Sequence, residues 1–166
     1  MKRVVLVSPS GSVFKNIAEL GLEQGGEGTP ELTVLAWSAA DARGEVRAIP
    51  VSRDDSATLS GRLRRAVDRA LSGSAAGRNL FRLTPWDGGR RMWRAVRRNP
   101  AAFQALRDAD LIVAVERDAI LTAWKSVHSL AAPGAAAVYG LPSARTILAE
   151  TRLACRAATG AADTDG

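Results

Sequence analysis

The chain has a single cysteine and a single histidine in 166 residues, and those two scarcities close off several chemistries. Cys155 has no partner for an internal disulfide. Its spacing from Leu148, Thr151 and Ala158 places it on the apolar face of a final helix, as a small core residue. One histidine and one cysteine give no basis for a metal cluster, and neither a metal nor a cofactor is expected. Long apolar runs are missing as well. None approaches the length that crosses a bilayer. The run after the basic start Met1-Lys2-Arg3 covers only Val4 to Val7, a strand rather than the core of a secretion signal. The expectation is a cytoplasmic protein from a reducing compartment. No internal repeat is visible.

What is present suits a folded chain. The apolar share is 46% and the charged share 24%, values of a globular protein. The length is that of one domain with its own core, read here as residues 1–160 followed by a flexible tail over 161–166. Charge is unevenly spread. Between Arg43 and Arg107 stand 15 arginines and no lysine against 5 acidic residues, which leaves the rest of the chain net acidic. Such a block can face nucleic acid, an anionic membrane or a phosphorylated ligand. An all-arginine block is also what a GC-rich coding sequence yields without selection for binding.

Hydrophobic periodicity alternates strands with helices. Arg3 to Ser8 reads as a strand, and Val13 to Gln24 as a helix stopped by Gly25-Gly26-Glu27-Gly28. Glu31 to Trp37 and Val46 to Val51 are further strands. Leu59, Leu63, Ala66, Val67, Ala70 and Leu71 recur at helical spacing. A loop over Thr84 to Gly89 leads to a basic helix from Arg90 to Arg98, and Asn99-Pro100 starts a short helix to Arg107. Leu111 to Val115 is the most apolar strand. A helix from Asp118 to Ser129, a weak strand from Ala136 to Tyr139 and a helix from Pro142 to Ala158 complete the chain. Strands apolar on both sides and joined by helices imply an α/β fold: a three-layer, doubly wound, mainly parallel five-stranded sheet of Rossmann-like kind. Ligands of such sheets bind at the carboxyl ends of the strands, where the strand order reverses. Those ends are Ser8 to Ser12, Trp37 and Ser38, Ser52 to Asp55, Glu116 to Asp118, and Tyr139 and Gly140. With the order 3-2-1-4-5, the first and fourth sets share one crevice.

The first of these turns, Ser8-Pro9-Ser10-Gly11-Ser12, is poor in glycine. A Walker loop ends in Gly-Lys-Ser/Thr and a dinucleotide fingerprint needs three closely spaced glycines; the turn has only Gly11, which excludes both. Ser8, Ser10 and Gly11 follow the hydroxyl-x-hydroxyl-glycine order of a flavodoxin phosphate loop, but Val13 stands where that pattern has a hydroxyl. Two readings stay open. The turn offers N–H groups at a helix N-terminus to an anion or a sugar hydroxyl, or Ser12 simply caps the helix.

Three stretches, RVVLVSPSGSVFKNIAELG, ELTVLAW and FQALRDADLIVAVERDAILTAWKSVH, resemble the amino-terminal half of bacterial GT-B glycosyltransferases in order and spacing. The resemblance implies a Rossmann-like domain that holds a sugar or lipid-linked acceptor. It also implies a partner domain or subunit that holds the nucleotide-sugar donor. No donor motif is found in these residues, so transfer is expected only with such a partner. The resemblance implies ligand contact at Ser10, Gly11, Ser12 and Lys15. Glu116 and Arg117 would present a carboxylate and a guanidinium to the same cleft, with Glu116 the catalytic candidate. Asp118 is instead placed to cap the next helix. His128, four residues after Trp124 and near a helix end, reads as a packed or terminal residue rather than a base. The alternative is a stand-alone flavodoxin-like module that takes a phosphate or nucleotide on the first turn.

The stretch WDGGRRMWRAVRRNP sets Met92, Trp93 and Val96 on one face, with Arg90, Arg91, Arg94, Arg97 and Arg98 around it. A surface helix that covers a sheet has this pattern. So does a helix that lies on anionic lipid with its aromatic at the interface, which would place the protein peripherally at the inner face of the membrane. Nucleic acid is not expected, because no aromatic platform or binding motif accompanies the charge.

Overall fold

The computed structural model of the protein describes residues 3–13, 17, 30–38, 46–52 and 87–162. Apart from Val13 and Ile17, the helices expected over 13–24 and 59–71 lie outside the described residues, as do Lys15 and positions 53–55. Strands β1 (Arg3–Val7), β2 (Glu31–Ala36), β3 (Arg47–Pro50), β4 (Leu111–Ala114) and β5 (Ala136–Tyr139) form one sheet in the order β3-β2-β1-β4-β5. Every neighbouring pair is parallel. This order is the Rossmann one, where a flavodoxin-like sheet runs 2-1-3-4-5. The helices described are α1 (Gly88–Arg98), α2 (Pro100–Arg107), α3 (Ile120–Ser129) and α4 (Leu141–Ala162).

Period-two side chains explain the layers. Val5, Val7, Leu35 and Ile49 point to one face and meet Met92 and Val96 of α1, Ala102 and Leu106 of α2, and Ala123 of α3. Val4, Leu6, Val34 and Val113 point to the other, against Val13 and against Ala144 and Leu148 of α4. The two central strands are therefore buried on both sides, while edge strand β5 alternates between half-buried and exposed. Full burial of a side chain such as Leu6 contributes about 1.5–3 kcal/mol by removal of apolar surface from water.

Strand bounds fall within one residue of the sequence reading, and three features of the helices differ from it. α1 starts at Gly88 rather than Arg90, because the Asp87 carboxylate caps it, accepting from the N–H groups of Gly89 (3.0 Å) and Arg90 (3.3 Å). The helix after β4 opens with a single 3-10 turn, Arg117–Ala119, before α3. α4 runs past Ala158 to Ala162, so Ala161 and Ala162 of the expected tail are helical; Gly160 is outweighed there by alanines, the best helix formers.

Candidate functional site

Backbone pairing alone brings the first and fourth strand ends together. Val7 lies beside Ala114. The ladder continues one residue further, with the Val115 N–H donating to Val7 O at 3.0 Å and the Ser8 N–H to Leu35 O at 2.9 Å. β1 then breaks into a β-turn closed by Gly11 N–H on Ser8 O at 2.9 Å. Proline at the second position and glycine at the fourth are the preferences of such a turn. Gly11 has φ 76°, a conformation that a Cβ would strain. The turn doubles back over the end of β4, where Glu116 stands.

Glu116 is the hub of this crevice. Its Oε1 accepts from the hydroxyls of Ser8 (2.7 Å), Ser10 (2.5 Å) and Ser12 (3.0 Å). The Ser10 N–H is shared between Oε1 and Oε2, 3.2 Å from each. Ser8 is fully buried, and its oxygen also accepts from Val13 N–H at 3.4 Å. Burial pushes the Glu116 carboxyl up, but the hydrogen bonds from the Ser10, Ser8 and Ser12 side chains and the Ser10 backbone outweigh it. The net result lies below the ordinary value. The turn thus donates to a carboxylate of its own chain. The Ser12 hydroxyl donates to Glu116, and its N–H donates to Ser10 Oγ at 3.1 Å; positions 14–16, which a Ser12 cap would serve, lie outside the described residues.

Asp118 departs from its expected role. The N-caps of the 3-10 turn and of α3 are Glu116 and Ala119, neither with a side-chain capping bond. Asp118 turns instead to the N-terminus of α1, into the space that Gly88 leaves open: a Cβ on Gly88 would fall 2.0 Å from Asp118 Oδ2. Close packing across the crevice explains that glycine. Partial loss of water, then the negative charges of Asp87 and Glu116, raise the Asp118 pKa, while Arg117 and Arg91 pull the other way. Two neighbouring carboxyl groups are thereby driven in opposite directions, Glu116 towards the ionised form and Asp118 towards the protonated one. Arg117 itself is exposed on the rim. Among the described residues, no group of three or more His, Cys, Asp and Glu is arranged to hold a metal ion.

Trp37, at the end of β2, donates its N–H to Pro9 O at 3.3 Å and so ties the turn to the next strand. The Arg91 guanidinium carbon lies 6.0 Å from the Trp37 ring centroid. Arg91 therefore leans towards the crevice, half-buried, while Arg90, Arg94, Arg97 and Arg98 of the same helix are exposed. Asp87 and Arg91 were not among the strand-end positions read from the sequence. The available signal was Asp87-Gly88-Gly89, a capping acid followed by two residues without side chains. Trp93 is half-buried beneath Lys125, whose Nζ lies 5.6 Å from the ring centroid. His128 occupies the last turn of α3, stacked on Trp124 at 4.4 Å with Nδ1 donating to Trp124 O at 2.8 Å, a helix-end role.

The fold and the crevice define a class: a Rossmann-like α/β domain whose switch point is filled by a carboxylate. No family model, curated protein or solved structure matches the chain.

Proposed function

We propose that the chain is the acceptor-side half of a GT-B-type glycosyltransferase, working with a separate donor-binding domain or subunit. One observation carries the reading: Glu116 holds the donors of the opening turn, so the crevice presents carboxylate acceptors where an anion site would present N–H groups. Sugar hydroxyls are donors that suit carboxylates. A phosphate arriving at the same turn has to displace Glu116 against like charge. In this reading, Glu116, kept ionised and fixed by three serines, orients an acceptor hydroxyl through its less occupied Oε2. Asp118, whose carboxyl is pushed above its ordinary value by partial burial and neighbouring negative charge, takes the proton as the new bond forms. Trp37 offers an apolar ring face for the sugar. The donor diphosphate falls to the partner, because transfer needs both substrates held within bonding reach across a cleft. The purified chain alone is expected to turn over no nucleotide-sugar.

Amide shift mapping with methyl glycosides and with inorganic phosphate tests the reading. Glycosides are expected to perturb Ser10, Ser12 and Glu116, and Glu116→Gln to weaken that response. Phosphate that binds the turn while glycosides do not would instead favour the stand-alone phosphate or nucleotide module.

A peripheral place on the membrane accompanies this proposal, with a lipid-linked acceptor. Among the described residues no helix is long and apolar enough to cross a membrane. α1 and α3 lie side by side, and their outward faces combine Arg90 and Arg97 with Trp124, which is 54% exposed. No acidic residue occurs within either helix. Cationic side chains beside an exposed tryptophan suit an anionic interface. Co-sedimentation with vesicles containing anionic lipid at low salt checks it, and its absence removes the membrane role.

A further inference from the structure

The opposite, amino-terminal edge of the sheet carries a groove that the proposed function does not use. Residues in register form rows across the strands there: Arg3 beside Glu31, then Val5 beside Thr33 beside Arg47. α2 passes over these rows and leaves a cavity of about 370 Å³, with Val5, Ala101 and Ala105 as its apolar wall. The walls are pinned. Arg3 and Asp110 exchange two hydrogen bonds, of 2.8 and 2.9 Å. Asn99, which caps α2, also donates to Pro50 O at 3.0 Å and ties that helix to β3.

Two independent features give the groove unused binding capacity. Thr33 is only 5% exposed and lines the cavity, yet its hydroxyl makes no hydrogen bond among the described residues. Four charges alternate along the rim as Arg47, Glu31, Arg3 and Asp108, at 4.0, 3.8 and 3.7 Å. A charge-assisted hydrogen bond is about 2.7–2.9 Å long, so these charges are neighbours whose donors and lone pairs are not consumed by one another; Asp108 Oδ2 also accepts from Gln104 Nε2 at 2.9 Å, which leaves its second oxygen for a ligand. A pure anion in the groove meets Glu31 and Asp108, and a pure cation meets Arg3 and Arg47. A molecule that carries both signs a few bonds apart satisfies all four. The cavity sits at the small end of ligand pockets, roughly 300–1,000 Å³, which suits a single small molecule rather than a nucleotide.

We propose that this groove binds a free α-amino acid. From the cavity side, its carboxylate pairs with Arg3 and Arg47 and its ammonium with Glu31 and Asp108, while a short apolar side chain lies against Val5, Ala101 and Ala105. The Thr33 hydroxyl supplies a hydrogen bond at the floor. This inference does not depend on the glycosyltransferase reading, because the groove and the crevice lie at opposite ends of the strands.

NMR titration of the full chain with L-valine, N-acetyl-L-valine and L-valinamide tests it. L-valine is expected to shift the amides of Thr33, Arg47 and Gln104 at millimolar concentration, and the two singly charged analogues to leave them in place. Arg3→Gln should weaken L-valine binding by about tenfold or more, the scale of one lost charge-assisted hydrogen bond. Thr33→Val, which keeps the shape of the side chain, should keep the fold and weaken binding several-fold. If Arg3→Gln disturbs the amides of β4 and β5, Arg47→Gln replaces it. The proposal is overturned if no proteinogenic amino acid shifts these amides, if N-acetyl-L-valine binds as well as L-valine, or if affinity survives removal of the arginine.

Discussion

The two ends of one sheet handle charge in opposite ways. At the carboxyl edge, three serine hydroxyls and an N–H close on Glu116 at 2.5–3.2 Å. At the amino edge, Arg3, Glu31, Arg47 and Asp108 stand 3.7–4.0 Å apart with side chains 39–62% exposed. Neutral donors on a tight turn lock one carboxylate, while opposite charges in open water remain loosely associated. Short bonds to a partly desolvated ion contribute more than exposed ion pairs, whose attraction water and salt screen. Position in the fold, rather than formal charge, decides which end is rigid.

The carboxyl edge should lose most at Glu116. Replacing Glu116 by Ala strands the fully buried Ser8 hydroxyl and releases three exposed donors of Ser10 and Ser12 to water, and should cost about 2–3 kcal/mol of stability in urea denaturation. A loss no greater than that produced at the amino edge would show that the carboxyl edge is not locked. Ser8→Ala should cost less, about 1–2 kcal/mol, because Ser10 and Ser12 still hold the carboxylate. An equal cost for Ser12→Ala would mean that burial does not rank the three hydroxyls.

Within the crevice, pH should act on the two carboxyl groups in opposite senses. Glu116 has a lowered folded pKa, so its contribution is present above the unfolded pKa and is lost as pH falls through the folded one. Asp118 has a raised folded pKa. Stability linked to it is present below the unfolded pKa and is lost as pH rises through the folded one. Glu116→Gln should therefore remove a stabilising slope in the acid range, and Asp118→Asn an opposing one. Gly88→Ala, whose Cβ would meet Asp118 Oδ2 at 2.0 Å, should drive that carboxyl towards water and return its pKa towards the ordinary value, as read by NMR titration.

The smallest effect is expected at the other edge. Asp108→Asn removes an ion pair 3.7 Å long between half-exposed side chains, and should change stability by no more than about 0.5 kcal/mol, less at high salt.

Residue pattern was enough to place the strands, the layers and the crevice's address. Runs such as Val4 to Val7 and Leu111 to Ala114 are apolar at every position, and only a strand covered on both faces needs that. The turn and Glu116 were both legible as strand-end positions, because a doubly wound sheet puts ligands at such ends. Their contact was not. It follows from the pairing of Val7 with Ala114 and the direction in which the turn folds back, and residues 104–108 positions apart in sequence leave no local trace of it. Asp118 was misread for the same reason: local rules offer a capping role, while the partner that receives it, the bare face of Gly88, belongs to another helix. Likewise the arginines around α1 are equivalent in a helical pattern, and only packing against β2 separates Arg91, drawn over Trp37, from those that face outward. Periodicity reports which side of an element is covered. Which residues meet across elements is decided by register and packing, and those are properties of the folded chain.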